Sequence, residues 1–403
     1  MTTLKLRIPK LTAEYFFRIF LVLFWGKDVV FSYIRGVLLH IPIIEYAADY
    51  VVPTLMIICL CFAFPYIVKC ISWKDFLFAC SVIVVYLLNI LIFPENEELV
   101  KIAGTFFFSV FPLYFIGLRF ENSRQWKIIY IMSVVNVWTF AAYYMLIGEG
   151  TFDAYQGANT SYMGRAYVLL PQLLGVLVGL FNNRNILNVA TAFIGAFLLL
   201  MCGNRGSLVL LLLFVVFYLL LNTSKDKRMY LYIGAIAVLS AIVYFYEQLV
   251  AGLVSVFESF GWSVRVFERL AEGTFFESSG RTAITSKLSS AIRDNPVIGY
   301  GLCSDRTITG SYAHNFAYEL WTSFGVVFGS LILIATVCVI IRAWRKNTDK
   351  VCRAILLLLV CTGFLKLFLS SSFLLEGSFF MLVGYCVAQL RSNKSEMLEF
   401  GED

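Results

Sequence analysis

Apolar runs of about 20 residues recur from one end of the 403-residue chain to the other. Each is long enough, at 1.5 Å per residue, to cross a hydrocarbon core ~30 Å thick as a helix. A soluble fold has no place for them. Hydrophobic residues make up 60% of the chain, aromatic residues 17% and charged residues only 14%, more apolar surface than a domain surrounded by water can hide. In hydrocarbon every backbone N–H and C=O must be satisfied within the protein, so runs of this length read as helices. The expectation is an all-α, polytopic integral membrane protein forming a single domain over 1–403, with no internal repeat, low-complexity tract or linker to divide it.

Segments able to span lie at approximately 15–36, 48–68, 75–93, 99–118, 128–148, 164–181, 185–202, 206–222, 229–247, 315–341, 353–370 and 374–390, about twelve in all. The first is interrupted by Arg18, Lys27 and Arg35, so an interfacial or broken helix is the alternative there. It has no small-residue cleavage signature and reads as an uncleaved span rather than a signal peptide. Basic residues fall in every second connection: Lys69 and Lys74; Arg119, Arg124 and Lys127; Arg184; Lys225, Lys227 and Arg228; Arg342 to Arg353. With Lys5, Arg7 and Lys10 at one end and Arg391 and Lys394 at the other, the positive-inside rule puts both termini in the cytoplasm. The alternate connections, such as Pro94-Glu95-Asn96-Glu97-Glu98, are poor in Lys and Arg, and the long interval 248–314 falls on their side, outside. The net charge of +6 therefore concerns topology rather than nucleic acid.

Glu277 to Gly325 is the one long polar stretch, and it holds one of the two histidines. Ser278 and Ser279 are N-cap candidates for a short amphipathic helix starting at Arg281. Its apolar face is Ala283, Ile284, Leu288, Ala291 and Ile292, and Asn295-Pro296 ends it. Gly299, Gly301 and Gly310 mark an irregular loop that closes at Ala313-His314-Asn315, where the next apolar helix begins. Residues 252–272, with Phe257, Phe260, Trp262 and Phe267 beside Arg265 and Arg269, form a second amphipathic candidate, expected at the membrane surface. The ten cysteines include no C-x-x-C pair and mostly sit inside apolar runs as small hydrophobes, which argues against structural zinc. Only Cys202 and Cys303 fall near outer span ends, the one pair placed for a disulfide.

Three arginines lie where the positive-inside rule leaves few: Arg165, Arg205 and Arg281, all at outer span ends. A lone arginine there ordinarily snorkels to water, and that reading stands for Arg165. It is weaker for Arg205, set in a tight turn between Gly203 and Gly206. Guanidinium forks match phosphate oxygens, and several together neutralise a diphosphate without a metal ion. His314 either packs at an interface or accepts a proton from a hydroxyl, a task suited to a group titrating near ~6.5. The helix it heads would favour a bound anion. Glu319 and the pair Lys366 and Glu376 either orient it or balance charge, and charge balance is the preferred reading. No D-x-D pair and no G-x-G-x-x-G offers a nucleotide-sugar site.

The N-R-G turn before an apolar span, then G-R, N-P-V-I-G-Y-G, A-H-N and F-G in order over 280–325, resembles the O-antigen polymerase and ligase superfamily. The motifs cover about a sixth of the chain, and N-R-G stands where S-R-G or T-R is commoner. The resemblance implies a GT-C-like glycosyltransferase of the bacterial inner membrane, with the 248–314 loop periplasmic and carrying short amphipathic helices. It implies a donor glycan on undecaprenyl diphosphate, no cofactor and no divalent metal. Carried over by residue, Arg205 and Arg281 would hold the diphosphate with Arg165, and His314 would serve the acceptor with Asn315 beside it. Membrane lipid and a chain-length regulator are the other partners it implies. Polymerase is preferred to ligase because N-P-V-I-G-Y-G-L followed by A-H-N-F looks more like polymerase sequences. A transporter or flippase would call for an inverted repeat and charged or broken helices at midplane, neither of which the sequence displays.

The charge pattern predicts that single cysteines label from outside at Ser311 and not at Ser224 in intact cells. The reverse pattern would invert the topology.

Overall fold

The computed structural model describes residues 12–27, 29, 42–120, 123–147, 162–202, 204–222, 251–252, 254–255, 259 and 281–391. Among them there is no strand. The helices are α1 (Ala13–Gly26), α2 (Pro42–Val68), α3 (Trp73–Ile92), α4 (Glu97–Thr105), α5 (Leu113–Leu118), α6 (Ser123–Ile147), α7 (Tyr162–Asn182), α8 (Ile186–Met201) and α9 (Arg205–Asn222). After the polar interval come α10 (Arg281–Asp294), α11 (Ser304–Thr309), α12 (Phe316–Lys346), α13 (Lys350–Leu359), α14 (Lys366–Leu369) and α15 (Gly377–Arg391). Two expected spans carry a π-helical turn, Phe106–Val110 between α4 and α5 and Val360–Leu365 between α13 and α14. The expected span at 229–247, most of the 252–272 candidate, Ser278 and Ser279 lie outside the described residues.

Six stretches are long and apolar enough to cross a membrane among the described residues: Val51–Val68, Trp73–Ile92, Glu97–Leu118, Gly164–Asn182, Phe316–Lys346 and Lys350–Leu369. They differ in what surrounds them. On α7, Ala166, Leu169, Leu170, Leu173, Leu174 and Val176 are at most 1% exposed, because α6, α8, α9 and α13 pack around this helix. A helix apolar on every face is a core helix. By contrast α3 leaves Phe76, Leu77, Val84, Leu88 and Leu91 exposed along its length, as a helix bordering lipid should. Where α5 meets α15, Gly117 and Gly384 let the backbones touch, since a Cβ on either would strike the carbonyl of Met381 or Tyr114.

The connections sort into two groups. Asp75 at the start of α3 takes both Arg391 nitrogens at 2.5 and 2.9 Å and the Tyr114 hydroxyl at 2.6 Å. Asn347 donates to Gln389 at 3.1 Å on the same face. These are the lysine- and arginine-rich connections. On the other face Asn96 donates to the Tyr300 carbonyl at 2.8 Å and accepts from Thr307 at 2.9 Å. The connection at 94–98, poor in Lys and Arg, therefore lies against the polar interval.

Residues 315–341, expected as one continuous span, are two helices. Gly325 has φ 74 and ψ 168, a conformation essentially reserved for glycine, and it breaks α12 after nine residues. The halves fold against each other: Trp321 donates to Ser330 at 3.0 Å, whereas residues nine apart in a straight helix are ~13 Å apart. The segment after Pro296 fills the break. Tyr300 and Gly301 donate N–H groups to the Thr322 and Ser323 carbonyls at 2.7 and 3.1 Å, and Val326 donates to the Pro296 carbonyl at 2.7 Å. Gly299 comes so close that a Cβ on it would sit 2.6 Å from the Gly325 nitrogen. N-P-V-I-G-Y-G and F-G thus form one joint. The expectation of unbroken helices, used against a transporter, is corrected here, although this break is closed by protein backbone.

Gly325→Ala forces a Cβ into the Val297 carbonyl at a backbone conformation costing ~1–3 kcal/mol for other residues. The detergent-solubilised variant should unfold at a clearly lower temperature than the parent. An unchanged midpoint would show that the joint carries no stability.

Candidate functional site

The turn between α8 and α9 is built by Asn204. Its Oδ1 accepts the Gly206 and Ser207 N–H groups at 2.8 and 3.4 Å, and its carbonyl accepts the Ser207 hydroxyl at 2.9 Å. Arg205 is the first residue of α9. Gly206 has its own reason to be glycine, because the Tyr167 hydroxyl occupies the place of a Cβ. In N-R-G, two of the three residues therefore make the turn, and the arginine is presented by it.

The A-H-N stretch is equally specified. The Ala313 N–H is held by buried Asp305 at 2.7 Å. Asn315 caps α12 by accepting the Ala317 and Tyr318 N–H groups at 3.0 and 3.4 Å. Between these anchors His314 takes φ 54, in the left-handed region, at some cost for a residue other than glycine. Its ring packs on Tyr312 with centroids 3.9 Å apart, and its buried Nδ1 has no hydrogen-bond partner among the described residues.

Arg281 and His314 come together. The Arg281 charge acts on the imidazole, and with burial, the larger cause, it lowers the His314 pKa from 6.5 to about 4. The same guanidinium acts on Tyr167, whose hydroxyl lies against Gly206. Lys366 lies 5.1 Å over the Tyr167 ring and is paired with Glu376 at 2.5 Å. Tyr167 thus lies against the start of α9, and Arg281, the first residue of α10, acts both on it and on His314 just before α12. Helix N-termini repel cations by ~0.3–1 kcal/mol, so this arrangement accumulates positive potential and suits an anion.

A layer of acids lies behind. The Glu319 carboxylate accepts the Ser372 hydroxyl and, at 3.2 Å, the Phe373 N–H, so it holds the 370–373 loop rather than His314. Asp305 faces Arg306 at 3.4 Å, and burial raises its pKa. Charge balance, the preferred role for Lys366 and Glu376, is what their contact provides.

Arg165 is buried at 5% exposure instead of snorkelling, two residues and ~200° around α7 from Tyr167. The Asn315 carboxamide oxygen is committed to the cap, which leaves any ligand contact to its NH2 group. Cys202 and Cys303 are both buried and not joined by a disulfide, and burial pushes the Cys303 thiol up to about 12. Tyr167, at the centre of the cluster, had no signal in the sequence, being one tyrosine among 22. Asp305 was equally invisible.

Residues 190–333 match the family model described as O-antigen ligase (Wzy_C). The match spans under half of the chain and includes Arg205, Arg281, His314 and Asn315, stopping short of Arg165 and Tyr167. It supports the O-antigen polymerase and ligase superfamily and, in general terms, a glycosyltransferase-like enzyme acting on lipid-linked glycan. No curated protein and no solved structure matches.

The His314 shift makes a pH prediction. Unfolded, the imidazole titrates near 6.5; folded, it stays neutral down to about 4. Its contribution to stability is complete above pH 6.5 and is lost as pH falls through that window towards 4. In thermal unfolding scans, His314→Gln should flatten the dependence of the midpoint on pH between 6.5 and 4. Identical slopes would mean that His314 titrates normally.

Proposed function

We propose, from the likeness to the O-antigen polymerase and ligase superfamily, that this protein is an O-antigen polymerase. It joins oligosaccharide repeat units carried on undecaprenyl diphosphate at the periplasmic face of the inner membrane. The reading includes about twelve spans, cytoplasmic termini and a periplasmic 248–314 loop. The observation that carries it is Arg281, at the start of α10, acting on both His314 and Tyr167, with Tyr167 against Gly206 next to Arg205 at the start of α9.

In the proposed reaction the acceptor sugar hydroxyl attacks the anomeric carbon of the donor. A new C–O bond forms as the bond to the diphosphate oxygen breaks. The hydroxyl proton passes to His314, and undecaprenyl diphosphate leaves with the electron pair. Negative charge grows on the leaving group, so preorganised guanidinium groups stabilise the transition state more than the ground state. The arginines take the charge that a divalent metal would otherwise take. Arg281 lowers the basicity of His314 while the site is empty; a bound diphosphate would offset that charge and make the imidazole a better proton acceptor. Arg165 and Asn315 complete the proposed binding set, and a chain-length regulator is a proposed partner.

A ligase, which moves the finished chain onto lipid A core, is the second reading, favoured by the description of the matched family model. Gene deletion separates the two. Loss of the ladder with one repeat unit still on core is expected for a polymerase, and loss of every attached unit would make the protein a ligase. Complementation with Arg205→Lys or Arg281→Lys should leave the ladder absent or sharply reduced at normal protein abundance, because an ammonium lacks the planar fork. A full ladder from either would show that charge alone suffices.

A further inference from the structure

The turn that fills the break in α12 exposes three apolar residues in succession. Pro296, Val297 and Ile298 all face outward, the last two 60% and 66% exposed. Apolar residues scattered singly over a surface need no explanation, but a row of them at the tip of a turn, where Gly, Asn, Asp and Ser are usual, does. The turn is also fixed at both ends. Asn295 donates from Nδ2 to the Gly299 carbonyl at 2.6 Å across its base, and Gly299 takes φ 75. The Pro296 carbonyl accepts the Val326 N–H at 2.7 Å, and proline has no N–H of its own to satisfy.

The depth of this tip follows from α12. Between Gly325 and Arg342 the second half of that helix, Val326 to Ile341, carries no charge over sixteen residues. At 1.5 Å per residue it rises ~24 Å, less than the ~30 Å of hydrocarbon in a bilayer. With the Arg342 guanidinium reaching one edge of the membrane, Val326 lies at or just inside the opposite edge, and tilting the helix only brings it deeper. The tip touches α12 at that level: Pro296 is bonded to Val326, and a Cβ on Gly325 would strike the Val297 carbonyl. Val326, Val327 and Phe328 beside it are exposed as well. We infer that Pro296, Val297 and Ile298 form a lipid-inserted anchor, seated among the acyl chains of the leaflet opposite Arg342. Charge resumes just before the tip at Arg293 and Asp294, both exposed, which mark where the chain comes in from water. The inference holds for either insertion of the chain and does not rest on the proposed reaction. It gives N-P-V-I-G-Y-G a second task besides closing the break, since the anchor fastens the end of α10, the helix that Arg281 begins, to the bilayer.

The experiment places the photoreactive amino acid p-benzoylphenylalanine singly at Val297, Ile298, Phe328 and Ser286 of the full-length protein. Each variant is reconstituted in vesicles of phosphatidylethanolamine and phosphatidylglycerol with radiolabelled acyl chains. Phe328, exposed on the apolar half of α12, is the lipid-facing reference, and Ser286, exposed on the polar helix α10, is the water-facing one. After illumination, lipid should be attached at Val297 and Ile298 as strongly as at Phe328, and at Ser286 only at background. Attachment at Val297 and Ile298 no stronger than at Ser286 overturns the inference, because the tip then faces water or another part of the chain. A cross-linked dimer in place of lipid also overturns it and makes the tip a contact between copies. So does a lack of lipid at Phe328, which would take α12 out of the bilayer. Should the tip reject the bulky side chain, Ile298→Trp decides: the fluorescence it adds to the parent's must be quenched by lipids brominated on their acyl chains, and added emission that these lipids leave unchanged overturns the inference.

Discussion

The site depends on a helix break that is filled. A backbone interruption in an apolar helix leaves N–H and C=O groups that hydrocarbon cannot satisfy, at several kcal/mol each, so such breaks persist only where protein or water supplies partners. In α12 the partners come from the chain just upstream: Pro296, Tyr300 and Gly301 pair with the groups freed around Gly325. The joint therefore ties the end of α10 to the middle of α12 and forces the loop between them into a closed path. Asn89 and Asn96 tighten that path from the opposite side by bonding the Leu302 N–H and the Tyr300 carbonyl, both at 2.8 Å. His314 sits at the exit of the closed loop, so its position is inherited from bonds made around fifteen residues away in sequence.

Positive potential is built up at the site and then held in place by anions kept off its surface. Arg205 and Arg281 each begin a helix, where the backbone already presents partial positive charge. Lys366 is satisfied by Glu376. Asp305 and Glu319 spend their oxygens on backbone N–H groups and a serine hydroxyl. The acids thus shape the loops around the starts of these helices.

The opposite face uses charge differently. Asp75, 1% exposed, is enclosed by Arg391, Tyr114 and Ser72. With Asn347 and Gln389 it joins α3, α5 and α15 to the α12–α13 connection. Asp75 is fully enclosed, while its Arg391 partner stays 36% exposed. The unusual backbone, the left-handed His314 and the glycine-only conformation at Gly325, lies in the polar interval and its joint instead.

The sequence by itself determined the class of fold, because hydrocarbon tolerates only helices and runs of this length announce themselves. It also determined the helix beginning at Arg281, the start of the next apolar helix after Asn315 and the alternation of charged connections, all local properties of a few neighbouring residues. His314 and the arginines stood out because a polar residue near a membrane is rare enough to be noticed. The F-G pair was legible as a motif, but the break at Gly325 was not: its cause is a φ that no periodicity encodes, and its partners lie 24 to 29 residues upstream. Tyr167, Asp305 and the assignment of Glu319 to the 370–373 loop were decided by tertiary structure alone, since what a buried polar group bonds depends on which helices meet. In a bundle whose helices are nearly all apolar, the pattern within each helix says that it is buried or lipid-facing and does not say against which neighbour.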